Sequence, residues 1–410
     1  TGKERKNNNS VLIQEKTYLM LLLPKNVWLL ATCSAFFMSV AVFMVFVGGI
    51  IGNSLTHSKD LSTLPVAIIV VGTALAILPV NRLMSLFGRK RVFLSTCLYT
   101  IATIGLGIYA IYTESFLLFC LSSFLLGATA ATMYQFRFAA IESVQEEQRT
   151  TAIAVVLLGS LLSAYLGPEI AILGKNWFKI DFIGSFVLLA SLFVPAFLLL
   201  CFFQPVEKPH EQVDKSRRPL TEIIKQGSFI VAASAATTGY VVMSFVMTAT
   251  PVSMHVMDGF SLEHTKFVIQ SHVIAMFLPS LFTAMIVKYL GLSRMMTLGV
   301  IILFISVTIA YLSQSLNSYW WSLMLLGLGW NFLFIGGTNL LPRSYNENEK
   351  FKVQSVNDFM IFGFQAFAAL SAGWFVFNFS WEVTMLSVLP LLVFQLLLLL
   401  WWLKYDKHES

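Results

Sequence analysis

Asn81-Arg82-Leu83-Met84-Ser85-Leu86-Phe87-Gly88-Arg89-Lys90-Arg91 is a basic turn set between two apolar runs, residues 63–84 and 92–112. Each run approaches the roughly 20 residues that a helix needs to cross a hydrocarbon core. Gly88 permits a tight reversal, and the cluster of cations around it suits an anionic membrane surface. Two apolar spans joined by so short a cationic turn place this part of the chain in lipid. There the backbone must satisfy its own hydrogen bonds, so the spans are helices.

Outward from this turn the pattern repeats. Further spans are predicted near 27–51, 116–138, 151–172 and 180–203, then near 228–256, 264–287, 295–313, 318–341, 353–377 and 383–403. The chain is 57% hydrophobic and 12% charged, against about 25% charged residues in ordinary globular domains. A soluble protein of 410 residues would lack the charge to cover its surface. The expected fold is therefore all-α, with 12 transmembrane helices in two pseudo-symmetric six-helix halves.

Charge placement orients the chain. With the amino terminus inside, only Lys59, Lys175, Lys179 and Lys266 of the 27 Lys and Arg residues fall outside. Basic residues are retained on the cytoplasmic side of short loops. Both termini are thus expected in the cytoplasm of a multi-pass inner-membrane protein. The predicted organisation is a cytoplasmic tail over 1–26, a first half over 27–203, a linker over 204–225, a second half over 226–403 and a tail over 404–410. The net charge of +6 gives no reason to expect a nucleic-acid partner. The lipid bilayer is the partner, and a monomer is expected. Cys33, Cys97, Cys120 and Cys201 show no CxxC spacing, which argues against a zinc site or disulfide framework. No G-x-x-x-x-G-K-[ST] pattern and no hydrolase constellation is present, so neither ATP drive nor an enzyme is expected.

The halves echo each other. Leu125-Leu126-Gly127 recurs as Leu325-Leu326-Gly327, and the turn at Gly88 has a worn counterpart at Gly291. A duplicated six-helix unit places a substrate site near the bilayer midplane, between the halves.

The turn over Phe87–Arg91 resembles the signature loop of the major facilitator superfamily, approximately G-x-L-x-D-R-x-G-R-K-R. It departs from that loop at Asn81, Ser85 and Leu86. Gly159 and Gly167-Pro168 in the fifth span are similar to the superfamily's Gly-Pro motif. The resemblance implies a transporter working by alternating access. It makes Gly88, Arg89, Arg91, Gly167, Pro168 and the neighbouring Glu169 candidates for coupling or gating. Arg137 is read as a partner for Glu142 or as a snorkelling side chain, and Asp358 as a helix–helix hydrogen-bonding group.

For the cargo, two pairs stand out. Met243 and Met247 form M-x-x-x-M, while His272 and Met276 form H-x-x-x-M. A spacing of four puts both members of a pair on one helix face. At 1.5 Å per residue they lie roughly 12 to 21 Å below the predicted outer boundary, near mid-membrane. Three thioethers and an imidazole form a soft donor set suited to copper(I). Methionine is also a routine gap-filler, and the residues alone leave metal and packing about even. The pairs, with the text around 246–251, 268–272 and 134–140, resemble the CcoA-type copper importers. By that resemblance Met243, Met247, His272 and Met276 are copper ligands, and the cargo is imported copper with no fixed cofactor. Met254, His255 and Met257 are candidates to capture metal at the outer end of the seventh span, and Cys33 to relay it. Close relatives of that branch have been linked to riboflavin uptake. The alternative is therefore a small-molecule substrate such as riboflavin or a hydrophobic drug, with the methionines as adaptable cavity lining.

Overall fold

The computed structural model describes residues 23–145, 148–204, 218–346 and 349–405. Most of the predicted tails and the greater part of the 204–225 linker lie outside the described residues. Among the described residues, twelve helical spans are long and apolar enough to cross a membrane. They are α1 (Lys25–Leu55), α2 (Lys59–Met84), α3 (Arg89–Tyr112), α4 (Phe116–Glu142), α5 (Val155–Leu173) and α6 (Ile183–Cys201). After the linker come α7 (Gly227–Met257), α8 (Leu262–Phe282), α9 (Leu292–Leu312), α10 (Leu316–Ser344), α11 (Lys352–Asn378) and α12 (Trp381–Tyr405).

Local chemistry sets the ends and the bends. Ser115, Ser261, Ser315 and Ser380 cap four helices by accepting from the amide three residues on, all on the face opposite the chain ends. On the terminal face, Gly88 and Gly291 take nearly the same left-handed conformation, φ 79° and 77°, and turn α2 into α3 and α8 into α9. Proline interrupts the ladder where spans bend. Pro168 lies within α5, Pro251 precedes a π-helical turn over Ser253–Met257, and α8 tightens to 3-10 geometry over Leu278–Phe282. Asn331 on α10 donates to the Met276 carbonyl (2.7 Å) and to Ser280 (2.8 Å) at that break in α8.

The repeat seen in the sequence is a repeat in space. Gly127 on α4 packs directly on Gly72 and Thr73 of α2, and Gly327 on α10 packs on α8. A Cβ at Gly327 would stand 2.7 Å from the His272 carbonyl and 3.0 Å from the Met276 amide. Ser122 donates to the Thr103 carbonyl between α3 and α4 (2.9 Å), and Ser306 donates to the Ser322 carbonyl between α9 and α10 (2.7 Å). Small residues let backbones approach, and hydroxyls bond across them, which is how helices associate in lipid.

Arg218, at the end of the linker, is tied to the second half. Its guanidinium donates to the Glu349 carboxylate at 2.9 and 2.6 Å, and its amide donates at 2.9 Å. These bonds, together with the Asn346 amide, hold the buried Glu349 carboxyl down to about 2. A depressed folded-state value stabilises above the ordinary carboxyl range, and the gain is lost as pH falls toward 2. Thermal unfolding of the detergent-purified protein should therefore show a stability loss between about pH 4.5 and 2. Glu349→Gln should flatten that slope; an unchanged slope would show that the pair contributes nothing.

Packing at the glycines makes a second prediction. Gly127→Val should destabilise by about 1–3 kcal/mol or more through overpacking. Gly363→Val, where a new Cβ meets nothing within 4 Å, should leave the melting temperature within a degree or two of wild type.

Candidate functional site

The two halves meet around a central cavity of about 180 Å³. Its wall comes from α1, α2, α4 and α5 on one side and α7, α8, α10 and α11 on the other. A larger but shallow depression, about 490 Å³ and bounded by Pro24, Glu142–Gln145 and Gln148, lies at the terminal face away from this centre.

Six aromatic side chains give the cavity its character: Tyr134, Tyr240, Phe277, Trp330, Phe334 and Phe362. Trp330 and Phe334, one turn apart on α10, are stacked with centroids 5.1 Å apart and planes 17° from parallel. Tyr240 of α7 meets both edge-on at 5.2 Å, and Tyr134 of α4 meets Phe362 of α11 at 5.2 Å across the two halves. Such rings offer flat apolar surface with defined faces and edges. In the sequence they are lost among 36 Phe, 9 Trp and 12 Tyr. The available signal was the i,i+4 pair Trp330/Phe334 at mid-span depth.

Set among the rings are polar atoms that the protein leaves unpaired. Ser34 Oγ, Arg137 Nε, His272 Nε2, Trp330 Nε1 and Gln365 Oε1 are buried without a hydrogen-bond partner, and all five residues line the cavity. A buried polar atom without a partner costs about 1–3 kcal/mol. Their concentration on one cavity is the mark of a site that a solute completes. Ser34 was not singled out by the sequence, because a single uncharged polar residue in a span carries no spacing signal.

Met243, Met247, His272 and Met276 are all brought to this cavity. His272 is fully buried, and its Nδ1 lies 2.7 Å from the Leu323 carbonyl. The other predicted residues go elsewhere. Met254 is fully buried, His255 is held through Nδ1 by the Phe260 carbonyl (2.7 Å) and Met257 is 42% exposed. Cys33 does not line the cavity; it faces the Ala196 carbonyl of α6.

Charged contacts link or brace the halves. Arg89 binds Glu142 bidentately (2.8 and 2.7 Å) and Gln135 at 3.3 Å, bracing α3 against α4 within the first half, while Arg91 is exposed. Glu142 is thus taken. Arg137 lies over the Phe138 ring and pairs with Asp358 of α11 at 3.7 Å, across the halves. On the opposite face Glu169 pairs with Lys266 of α8 (3.1 Å) and accepts from Gln270 (3.2 Å). Gly167 lets α5 lie close to α1, where a Cβ would stand 3.0 Å from the Phe43 amide. Gly49 against Val252 and Gly373 against Thr63 complete close contacts between the halves on that face.

Twelve spans, an internal repeat and a central cavity between the halves define a membrane carrier. The Major Facilitator Superfamily model matches residues 27–271. The chain is 33% identical over 383 residues to the riboflavin transporter RfnT of Brucella anthropi, covering 93% of this chain and 96% of that one. It is 30% identical over 335 residues to the MFS-type transporter YdeG of Bacillus subtilis, with 77% of each covered. In fold it is similar to a bacterial homologue of the human lysosomal transporter Spinster in its inward-facing, occupied form. That match has a TM-score of 0.67 and 14% identity, and it covers 94% of this chain and 96% of the other. The chain belongs to the major facilitator superfamily, and it is a transporter, not an enzyme.

The copper reading is overturned. Among the described residues no group of three or more His, Cys, Asp or Glu side chains is placed to hold a metal ion. RfnT, matched over nearly its full length, is a riboflavin transporter, and riboflavin is an organic solute. Copper as substrate and metal transport as function fall together. The three thioethers fit instead as polarizable wall beside aromatic rings.

Removing Arg137 or Asp358 singly should destabilise the protein, because each leaves the other charge unpaired at the interface. A double-mutant cycle of melting temperatures with Arg137→Gln and Asp358→Asn should give a coupling of about 0.5–3 kcal/mol. Strict additivity would show that the two side chains do not interact.

Proposed function

We propose that this chain is a secondary transporter that imports a small planar heteroaromatic solute of the riboflavin type. The observation that carries this reading is the aromatic cavity between the halves with its five unpaired buried polar atoms. Flat rings suit a flat ring system, and scattered donors and acceptors suit a solute with carbonyls, ring nitrogens and hydroxyls. The identity to RfnT over nearly the whole of both chains points to the same class of cargo.

Alternating access follows from the duplicated architecture. At about 180 Å³ the cavity is smaller than the ~300–1,000 Å³ typical of drug-sized ligand sites. The aromatic cluster therefore parts to admit the solute, and Met243, Met247 and Met276 accommodate it. Contacts at Glu169–Lys266 on one face and Arg137–Asp358 toward the other open in turn. The asymmetry of Lys and Arg supports cytoplasmic termini, with 204–225 as the cytoplasmic tether between the halves.

Expression in a riboflavin-auxotrophic bacterium that lacks its own importer should restore growth on low riboflavin and radiolabelled riboflavin accumulation. At equal membrane abundance, Trp330→Ala should lower uptake about tenfold, the loss of one good ring contact. No accumulation above the empty-vector level would sink the reading. Dye extrusion in its place would assign the cavity to hydrophobic drugs.

A further inference from the structure

The donor and acceptor pattern of the cavity is more specific than its shape. His272 Nδ1 is 2.7 Å from the Leu323 carbonyl. A carbonyl only accepts, so Nδ1 carries the proton; a fully buried imidazole with no carboxylate partner stays neutral, so Nε2 is an acceptor. That acceptor belongs to a side chain with no exposure, and it has no partner. Trp330, 2% exposed, presents the opposite group, an indole N–H that only donates, also unpaired. The two residues sit on adjoining helices. Gly327 brings α10 against the backbone of α8 at His272, and the Phe277 and Trp330 rings meet at 6.0 Å. The second half thus offers one fixed acceptor and one fixed donor beside the Trp330–Phe334 stack.

We propose that His272 and Trp330 read an in-ring N–H and its neighbouring carbonyl on the cargo, so that the transporter selects heterocycles carrying an unsubstituted imide or lactam edge. This rests on the proposed heteroaromatic cargo and adds the specificity-determining residues to it. A ring set against the edge of the Trp330 indole, in the plane of its N–H, turns its own edge groups toward both side chains. Its N–H satisfies His272 Nε2, and its C=O satisfies Trp330 Nε1. A methyl group on the ring nitrogen would remove the donor and leave the histidine acceptor buried and unpaired. Sites built around a polar group reject analogues lacking that group far more strongly than they reject a change of one methylene. Ser34 and Arg137, in the first half, supply further donors when the halves close on the solute.

The test is binding of riboflavin and of 3-methylriboflavin to the purified full chain, followed by quenching of flavin fluorescence. Wild type should bind riboflavin at least about tenfold more tightly than the methylated compound. His272→Phe should lose that ratio, its riboflavin affinity falling to within about twofold of its affinity for the methylated flavin. Trp330→Phe, which keeps a ring but removes the N–H, should weaken both flavins by a similar factor. Equal affinity of wild type for the two flavins would overturn the inference while leaving a flavin carrier standing. So would a discrimination ratio that survives His272→Phe. Binding of neither flavin to wild type would overturn the cargo reading and this inference together. The comparison of ligands on wild type needs no variant to fold.

Discussion

In hydrocarbon a polar group has no water to fall back on, and this constraint governs the whole molecule. It forces the backbone into helices, and it requires the hydroxyls buried between them to find carbonyls. Ser122 and Ser306 meet that demand in equivalent places, each bonding across the α3–α4 or α9–α10 contact. Asn331 meets it where α8 leaves its regular ladder. Of the nine buried side-chain atoms left unpaired among the described residues, five gather on this one cavity. The protein tolerates them where the site requires them.

The same constraint explains why glycine shapes the site from a distance. Gly327 contacts no cavity, yet its missing side chain lets α10 rest on the backbone of α8 between His272 and Met276. That contact holds the histidine ring near the Leu323 carbonyl, which orients Nε2 and fixes its proton state. Sequence, close helix approach, tautomer and recognition form one chain of causes. The first half uses Gly127 in the equivalent position for packing alone, with Gly72 and Thr73 beneath it. Duplicated scaffolding has thus diverged into one half that fixes ring-edge chemistry and one that brings Arg137 and Ser34 to it.

The charged residues divide along similar lines. Arg89–Glu142 stiffens one half at the terminal face, and Arg218–Glu349 ties the end of the linker to the other. Arg137–Asp358 and Glu169–Lys266 cross between halves, at different depths of the interface. Pairs within a half persist through rigid-body rocking, whereas pairs between halves must break as access alternates. Arg89 and Glu142 are 53 residues apart, and Arg137 and Asp358 are 221 apart, so no local spacing rule separates the two classes.

How much could be read in advance follows from the range of each interaction. Spans, their number, the duplicated halves and the turn at Gly88 come from local hydropathy and single-residue conformations, which any stretch of chain displays by itself. The M-x-x-x-M and H-x-x-x-M pairs were also legible, and both reach the cavity, because i,i+4 spacing fixes a shared face. Their chemistry was not legible. Whether thioethers and an imidazole coordinate a metal or line a slot for a ring depends on what stands opposite. That wall is Tyr240, Trp330, Phe334 and Phe362, brought together from three helices. Arg137 was likewise read against Glu142, its sequence neighbour, when its partner was Asp358 on a helix of the other half. The sequence by itself determined a twelve-span carrier with a repeated core, since lipid acts on each segment separately. Only the tertiary structure decided what the cavity can hold, since that depends on how eight helices rotate toward one another.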